Sequence, residues 1–270
     1  MGLRMYTFEL DHPRYTLTST APLVGSPRIA IVGSRDAEGA ALEYARTLAS
    51  LVVKAGGIVV SGGAEGVDSK AHLGALESEG RTWVIAPTGC NHVCPASNKA
   101  LFEQVAKSSG AMVWPFPPDQ EAKLTFKKRN DVLVALSDAV VVVQATSVRS
   151  GTFSTATKTL RAGKPLWVVP LPPWLNLLEG SLALIRRLDV KILWQTRDLL
   201  ASVGLAAPCN IRRDDPNEQS VLDALAQPLH RDHLADRTGL KIPELSNILF
   251  TLLLEGLVRE RIDGCVERLA

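Results

Sequence analysis

The sequence predicts an α/β fold: a doubly wound, mostly parallel sheet with a small C-terminal winged-helix domain. Two observations predict it. From residue 28 to about residue 205, short β-branched apolar runs alternate with segments of helical spacing. After residue 218 the pattern changes to three short helical segments and a tail. Nearly all-apolar runs bounded by Gly, Pro or polar residues are strands buried on both faces, and the intervening helices must cover those faces.

Taken in order, residues 1–24, with Pro13 and Pro22, form an extension packed on the main domain, which spans 25–206. Its strands are RIAIVGS (28–34), GIVVSGG (57–63), TWVIAP (82–87), AMVWPF (111–116), AVVVVQA (139–145) and PLWVVP (165–170). The first helix carries Ala41, Leu42, Ala45, Leu48, Ala49 and Val52 at three- and four-residue steps, with Asp36 as its expected cap. Trp83, Trp114 and Trp167 fall in strands and read as core. The stretch APCNIRRDDPNE (207–218) is the expected linker. VLDALAQ, HLADRTG and IPELSNILFTLLLEGLV, followed by RERIDGCVERLA, are the three helices and hairpin of a winged helix over 219–270.

The bulk numbers bound the function. A net charge of +2 and a pI near 8.4 give little general attraction for a polyanion, so a nucleic-acid role has to come from local patches. No apolar run reaches the roughly 18 residues of a membrane span, and MGLRMYTFELDHPRY lacks the apolar stretch of a signal peptide. Four cysteines make no disulfide framework, so a reducing cytoplasm is expected.

Three loops follow strands on the carboxyl edge, where open parallel sheets bind ligands. The first is Gly33-Ser34-Arg35-Asp36: a sharp turn, a hydroxyl and a planar guanidinium suited to phosphate. The second, Ser61 to Asp68 (SGGAEGVD), brings Gly62, Gly63, Ala64 and Gly66 to a helix start, where main-chain N–H groups can meet an anion. The third is RSGTFST, with Ser150, Gly151 and Thr152 ahead of a helix. The chain contains no G-x-G-x-x-G after the first strand, no G-x-x-x-x-G-K-[ST] and no G-x-S-x-G, so dinucleotide, P-loop and hydrolase-elbow sites are not signalled. A fourth segment, KLTFKKRN, places Lys123, Lys127, Lys128 and Arg129 around Phe126, followed by Asn130. Cations beside an aromatic suit a single strand, with phosphates held and a base stacked; composition leaves open whether Phe126 instead folds into the core. CNHVC, with Cys90, His92 and Cys94, lacks a second pair at zinc-ligand spacing, so no metal is expected. HRDH (230–233) reads as the polar start of a helix.

In this order, GSR (33–35), SGGAEGVD with AHLGAL, GCNHVCPASNKALFEQV, FKKRNDVLVALSDAVVVVQA and SGTFSTA resemble the motifs of the DNA-processing protein A (DprA/Smf) family, over about residues 12–205 and again over the tail. The resemblance implies a Rossmann-like domain, a homodimer and a non-enzymatic protein without a cofactor. It implies single-stranded DNA as ligand, handed to the RecA recombinase in natural transformation. Carried over by motif, Arg35 and the main chain from Ser61 to Gly66 would hold backbone phosphates. Phe126, Lys128 and Arg129 would form the base-stacking side, and Ser150 to Thr152 the third loop. Arg129 and Asn130 could equally brace the loops.

The chain departs from the family pattern at several places. Glu65 stands where Arg is frequent, and Asp131 replaces the second Arg of R-N-R. Gln144 replaces a Glu, Trp114 falls where S-E is expected, and PLPPW replaces a P-G continuation. Exchanging two cations for two anions is expected to weaken non-specific DNA affinity. The segment 242–256, in the recognition-helix position, has Glu244 and Glu255 but no Lys or Arg, which argues against major-groove docking. The alternative function is a nucleotide sensor or a phosphoribohydrolase-like enzyme (LOG-type) on the same sheet edge. Thr155 holds the place of that enzyme's catalytic glutamate, which argues against hydrolysis but not against nucleotide binding.

Overall fold

The computed structural model describes residues 4–11, 14–25, 27–171, 178–206, 216–254, 256–261 and 263–269. Two compact units are present: Met1–Trp194 with Ser202–Leu205, and Gln195–Ala201 with Ala206–Ala270.

All six apolar runs become strands of one sheet: β3 (Arg28–Val32), β4 (Ile58–Ser61), β5 (Thr82–Ile85), β6 (Ala111–Trp114), β7 (Ala139–Val142) and β8 (Leu166–Val168). The N-terminal extension contributes an antiparallel hairpin, β1 (Tyr6–Asp11) and β2 (Arg14–Ser19), which joins the sheet antiparallel to β6. Lys191–Ile192 adds a two-residue edge strand, β9. The sheet order is β1-β2-β6-β5-β4-β3-β7-β8-β9. From β3 the chain winds outward through β4, β5 and β6, then returns to the other side of β3 for β7. That reversal opens a crevice between the carboxyl ends of β3 and β7.

The period-2 alternation of the strands assigns the layers. Ala30, Val32, Val60, Trp83, Ile85, Val113, Val140 and Val142 pack with Val132 and Leu133 of α4 (Phe126–Ala135) and Ala156 of α5 (Gly151–Arg161). Val84 and Met112 point the other way, against Leu101, Phe102 and Val105 of α3 (Lys99–Lys107). Trp83 and Trp167 are core, whereas Trp114 is half-buried beside α3.

The first helix, α1 (Gly39–Lys54), starts later than Asp36 would allow as its cap. Glu38 holds the cap position, and its N–H donates to Gln144 Oε1 at 2.9 Å. Gln144 therefore ties β7 to the start of α1, a neutral role that needs no family glutamate. The next helix, α2 (Val67–Glu77), packs on α1. The ends of α4 are also fixed: Thr125 Oγ1 donates to Pro87 O, and Lys164 Nζ donates to the carbonyls of Val134, Ala135 and Ser137.

The second unit contains α7 (Thr196–Ser202) up to Ala201, α8 (Pro216–Ala224), β10 (Leu229–His230), α9 (Arg231–Thr238), α10 (Ile242–Leu254) and the hairpin β11 (Val258–Glu260) and β12 (Cys265–Arg268). Its own core includes Val221, Leu222, Leu234, Leu245, Leu249, Leu252, Val258 and Val266. Residues 216–218 of the expected linker form the first turn of α8, with Pro216 at the N-terminal position it favours. The rest of the linker, 207–215, lies outside the described residues, as do Glu255 and the 172–174 part of PLPPW. His230 caps α9, accepting the Asp232 N–H at 3.5 Å.

Candidate functional site

The crevice at the β3–β7 reversal is a cleft of about 410 Å³. One wall is the turn after β3, Gly33 to Asp36; another is Thr146 and the start of α5, Ser150 to Thr152 and Thr155. The floor is Arg129, Asn130 and Asp68, and Phe126 and Lys127 stand at the rim. A second, smaller cleft of about 80 Å³ adjoins it, lined by Gly62, Ala64, Glu65, Pro87, Cys94 and Pro95. Arg35, Ala64, Phe126 and Arg129 line both.

The glycine turn after β4 is not the open anion cradle its sequence suggests. Asp68, in the first turn of α2, is buried and folds back into it: Asp68 Oδ2 accepts from Gly62 N at 3.1 Å and from Ala64 N at 3.4 Å. The Gly33 N–H is directed at the same carboxyl. The chain thus supplies its own anion where a phosphate was expected. Arg129, also buried, completes the arrangement. Its Nη1 donates to Gly62 O and to Ile85 O at 2.8 Å, and its Nε to Asn130 Oδ1 at 3.0 Å. A side chain at Gly62 would collide with the Arg129 guanidinium, so glycine is required there. Gly66 turns with φ 78° against the main-chain oxygens of Ser34 and Arg35, which locks the second loop onto the first. Burial pushes the Asp68 carboxyl up and the Arg129 guanidinium down, and their mutual attraction opposes both shifts.

Other hydroxyls are similarly committed. Ser61 Oγ donates to Ile31 O at 2.7 Å, inside the sheet. Ser34 Oγ accepts from Thr146 N at 3.0 Å and bridges β3 to β7. Ser150 Oγ caps α5 by accepting from Phe153 N at 3.1 Å. Thr155 Oγ1 donates to Gly151 O, and Asn130 Nδ2 reaches the same carbonyl at 3.3 Å. Gly151 and Thr152 line the cleft at the start of α5, and their N–H groups make no hydrogen bond to another described residue.

The rim is different in kind. Arg35 is exposed, with its guanidinium carbon 5.6 Å from the centre of the Phe126 ring. Phe126 is half-buried and lines both clefts. Lys127 and Lys128 are exposed beside it, with Lys127 in the cleft lining and Lys128 outside it. Arg129 lies below, buried and compensated by Asp68, so the positive charge of the mouth comes from Arg35 and Lys127, with Lys128 close by.

Of the residues expected from sequence, Gly33, Ser34, Arg35, Ala64, Phe126, Arg129, Asn130, Ser150, Gly151 and Thr152 meet around the large cleft. Gly62 lines the small one, while Ser61, Gly63, Gly66 and Lys128 line neither. Asp36 of the first loop and Lys127 of the basic segment line the large cleft too, and Asp68 and Thr146 are additions. The signal for Asp68 was an acidic residue in the first turn of a helix after a glycine loop; the signal for Thr146 was its place just beyond the strand beside β3. The charge departures are also partly resolved. Asp131 pairs with Lys158, and Glu65 accepts from Ser97 Oγ at 2.6 Å. Among the described residues, no group of three or more His, Cys, Asp and Glu side chains is placed to hold a metal ion. No described helix is long and apolar enough to cross a membrane.

Residues 16–204 match the model of the family described as DNA recombination-mediator protein A, and residues 206–269 match the DprA winged helix domain. The chain belongs to the DprA/Smf family. Protein Smf of Synechocystis is 32% identical over 197 residues, covering 73% of this chain and 48% of its own length. A putative DNA processing protein DprA of Mycobacterium tuberculosis is 32% identical over 204 residues, covering 75% and 51%. The chain thus spans about half the length of these two relatives. Among solved structures, DNA processing protein A of Helicobacter pylori, described for its single-stranded DNA binding mode, aligns with TM-score 0.66 at 27% identity. That alignment covers 74% of this chain and 95% of the other. The DprA of Streptococcus pneumoniae aligns with TM-score 0.64 at 26% identity, covering 70% and 66%.

Proposed function

We propose that this protein binds single-stranded DNA, without cleaving it, across the mouth of the β3–β7 cleft. The observation that carries the reading is the Arg35–Phe126 stack at the rim, flanked by Lys127 and Lys128. A guanidinium and two ammonium groups hold successive phosphates, while the ring offers a base a stacking surface. The free N–H groups of Gly151 and Thr152, at the positive end of α5, add a neutral anion contact. Arg129, Asn130, Ser34 and the Gly62–Ala64 turn act behind this surface and hold the loops in register. The family places such proteins in DNA processing, and the Helicobacter pylori relative's single-strand binding is consistent with this assignment. By the same membership we propose a homodimer that passes strands to a RecA recombinase in transformation, in the cytoplasm.

Two features oppose the enzymatic alternative. Thr155, at the place where a nucleotide phosphoribohydrolase needs its glutamate, spends its hydroxyl on Gly151 O. The buried carboxylate of the cleft, Asp68, is committed to main-chain N–H groups and to the charge of Arg129.

Three cations on phosphates predict a log–log salt slope near −2 for a mixed-sequence single strand, from about −0.7 per contact. Titrations between about 50 and 200 mM salt measure it. Arg35→Ala is expected to reduce the slope by about 0.7 and to remove most of the binding at low salt. Unchanged binding in that variant would place the strand elsewhere.

A further inference from the structure

The small cleft beside the Arg35–Phe126 stack carries a group that phosphate binding does not use. Glu65 is exposed, and Ser97 fixes its orientation by donating to Oε1 at 2.6 Å. Among the described residues no cation pairs with it, although Arg35 and Arg129 line the same cleft. A carboxylate is a poor neighbour for a phosphate and a good acceptor for the N–H groups of a base. The cleft, about 80 Å³, is too small for a nucleotide. It is open to the edge of one. Phe126 lines both clefts, so a base stacked on its ring can direct its edge toward Glu65 while its phosphates stay with Arg35 and Lys127.

We propose that Glu65, oriented by Ser97, reads the base seated at Phe126 and favours guanine. This rests on the single-strand reading above. Guanine presents two adjacent donors, N1–H and the N2 amino group, which match the two oxygens of a carboxylate. On the corresponding edges, adenine and cytosine pair one donor with a ring-nitrogen acceptor, and thymine sets its single N3–H between two carbonyls. Those acceptors face the carboxylate with like partial charge, so the discrimination comes from repulsion as well as attraction. An acid beside the strand-binding rim thereby gains a role: weaker general affinity and a base preference.

The test uses the full chain and three short strands: oligo-dT, the same strand with one central dG, and the same strand with one central dA. Wild type is expected to bind the dG strand about fivefold more tightly than oligo-dT, the low end for a two-bond contact at an exposed site. Glu65→Ala is expected to erase that preference, and Ser97→Ala to reduce it. Equal affinity of wild type for all three strands would overturn the proposal and leave strand binding intact. A uniform gain for all three in Glu65→Ala, with the dG preference kept, would also overturn it, because the carboxylate would then act only by repelling phosphates. Wild type binding none of the strands would overturn the single-strand reading itself, and this proposal with it.

Discussion

At the scale of single residues, the site separates into side chains that hold the cleft and side chains that face out of it. Arg129 belongs to the first kind. Removing it would strand the buried Asp68 charge and leave Gly62 O and Ile85 O without their donor, so Arg129→Ala is expected to cost about 3–5 kcal/mol in folding stability, measured by urea denaturation. Arg35, exposed on Phe126, belongs to the second, and Arg35→Ala is expected to keep the wild-type midpoint. Equal stability losses in the two variants would contradict this division. His72, fully buried in α2, sets the pH behaviour. Burial, and secondarily the charge of Arg129, push its pKa down to about 3. The unfolded chain takes up the proton near the ordinary value of about 6.5 while the folded chain does not. Stability from this residue is therefore complete above pH about 6.5 and is lost as pH falls toward 3, by roughly 2 kcal/mol at pH 5. Melting curves at pH 7 and pH 5 should show a smaller pH difference in His72→Leu than in wild type; the same difference in both would refute the assignment.

At the scale of elements, strands were more legible than the loops between them. The six strands predicted from β-branched runs between Gly, Pro and polar residues all form, because both faces of a parallel strand are buried and its composition records that directly. The β1–β2 hairpin and β9 escaped notice. The hairpin does alternate in period 2, with Tyr6, Phe8, Leu10, Tyr15 and Leu17 inward, but Pro13 and the edge position favoured an irregular extension, and a two-residue strand leaves no periodic signal. Loops were legible as turns but not as sites. SGGAEGVD announces a glycine turn before a helix, whereas the identity of the anion in it depends on Asp68 folding back, a contact between residues six apart that spacing does not reveal. Ser150 shows the same limit: a hydroxyl ahead of a helix suits a ligand or a cap equally, and here it caps. Ser150→Ala is therefore expected to lose about 1 kcal/mol of stability with strand affinity nearly unchanged. A large affinity loss without destabilisation would make the hydroxyl a ligand contact.

At the scale of the whole molecule, the order in which strands join the sheet places the site. The chain leaves β3 on one side for β4 and returns from β6 on the other for β7, and only at that reversal do three loops distant in sequence, around residues 33, 64 and 151, converge with the start of α4. The C-terminal unit has a different surface. The described part of α10 carries no Lys or Arg and exposes Ile242 and Phe250, while Arg259 and Arg261 of the hairpin pair with Glu267. Truncation after residue 205 is accordingly expected to leave single-strand affinity within a few-fold. The cleft mouth is proposed to hold a strand rather than a free nucleotide. A side-by-side titration of a mixed-sequence single strand and a mononucleotide at low salt tests it most directly. Saturable strand binding that Arg35→Ala removes is expected, with the mononucleotide far weaker. A clear thermal shift from the mononucleotide, with no binding of the strand, would contradict it.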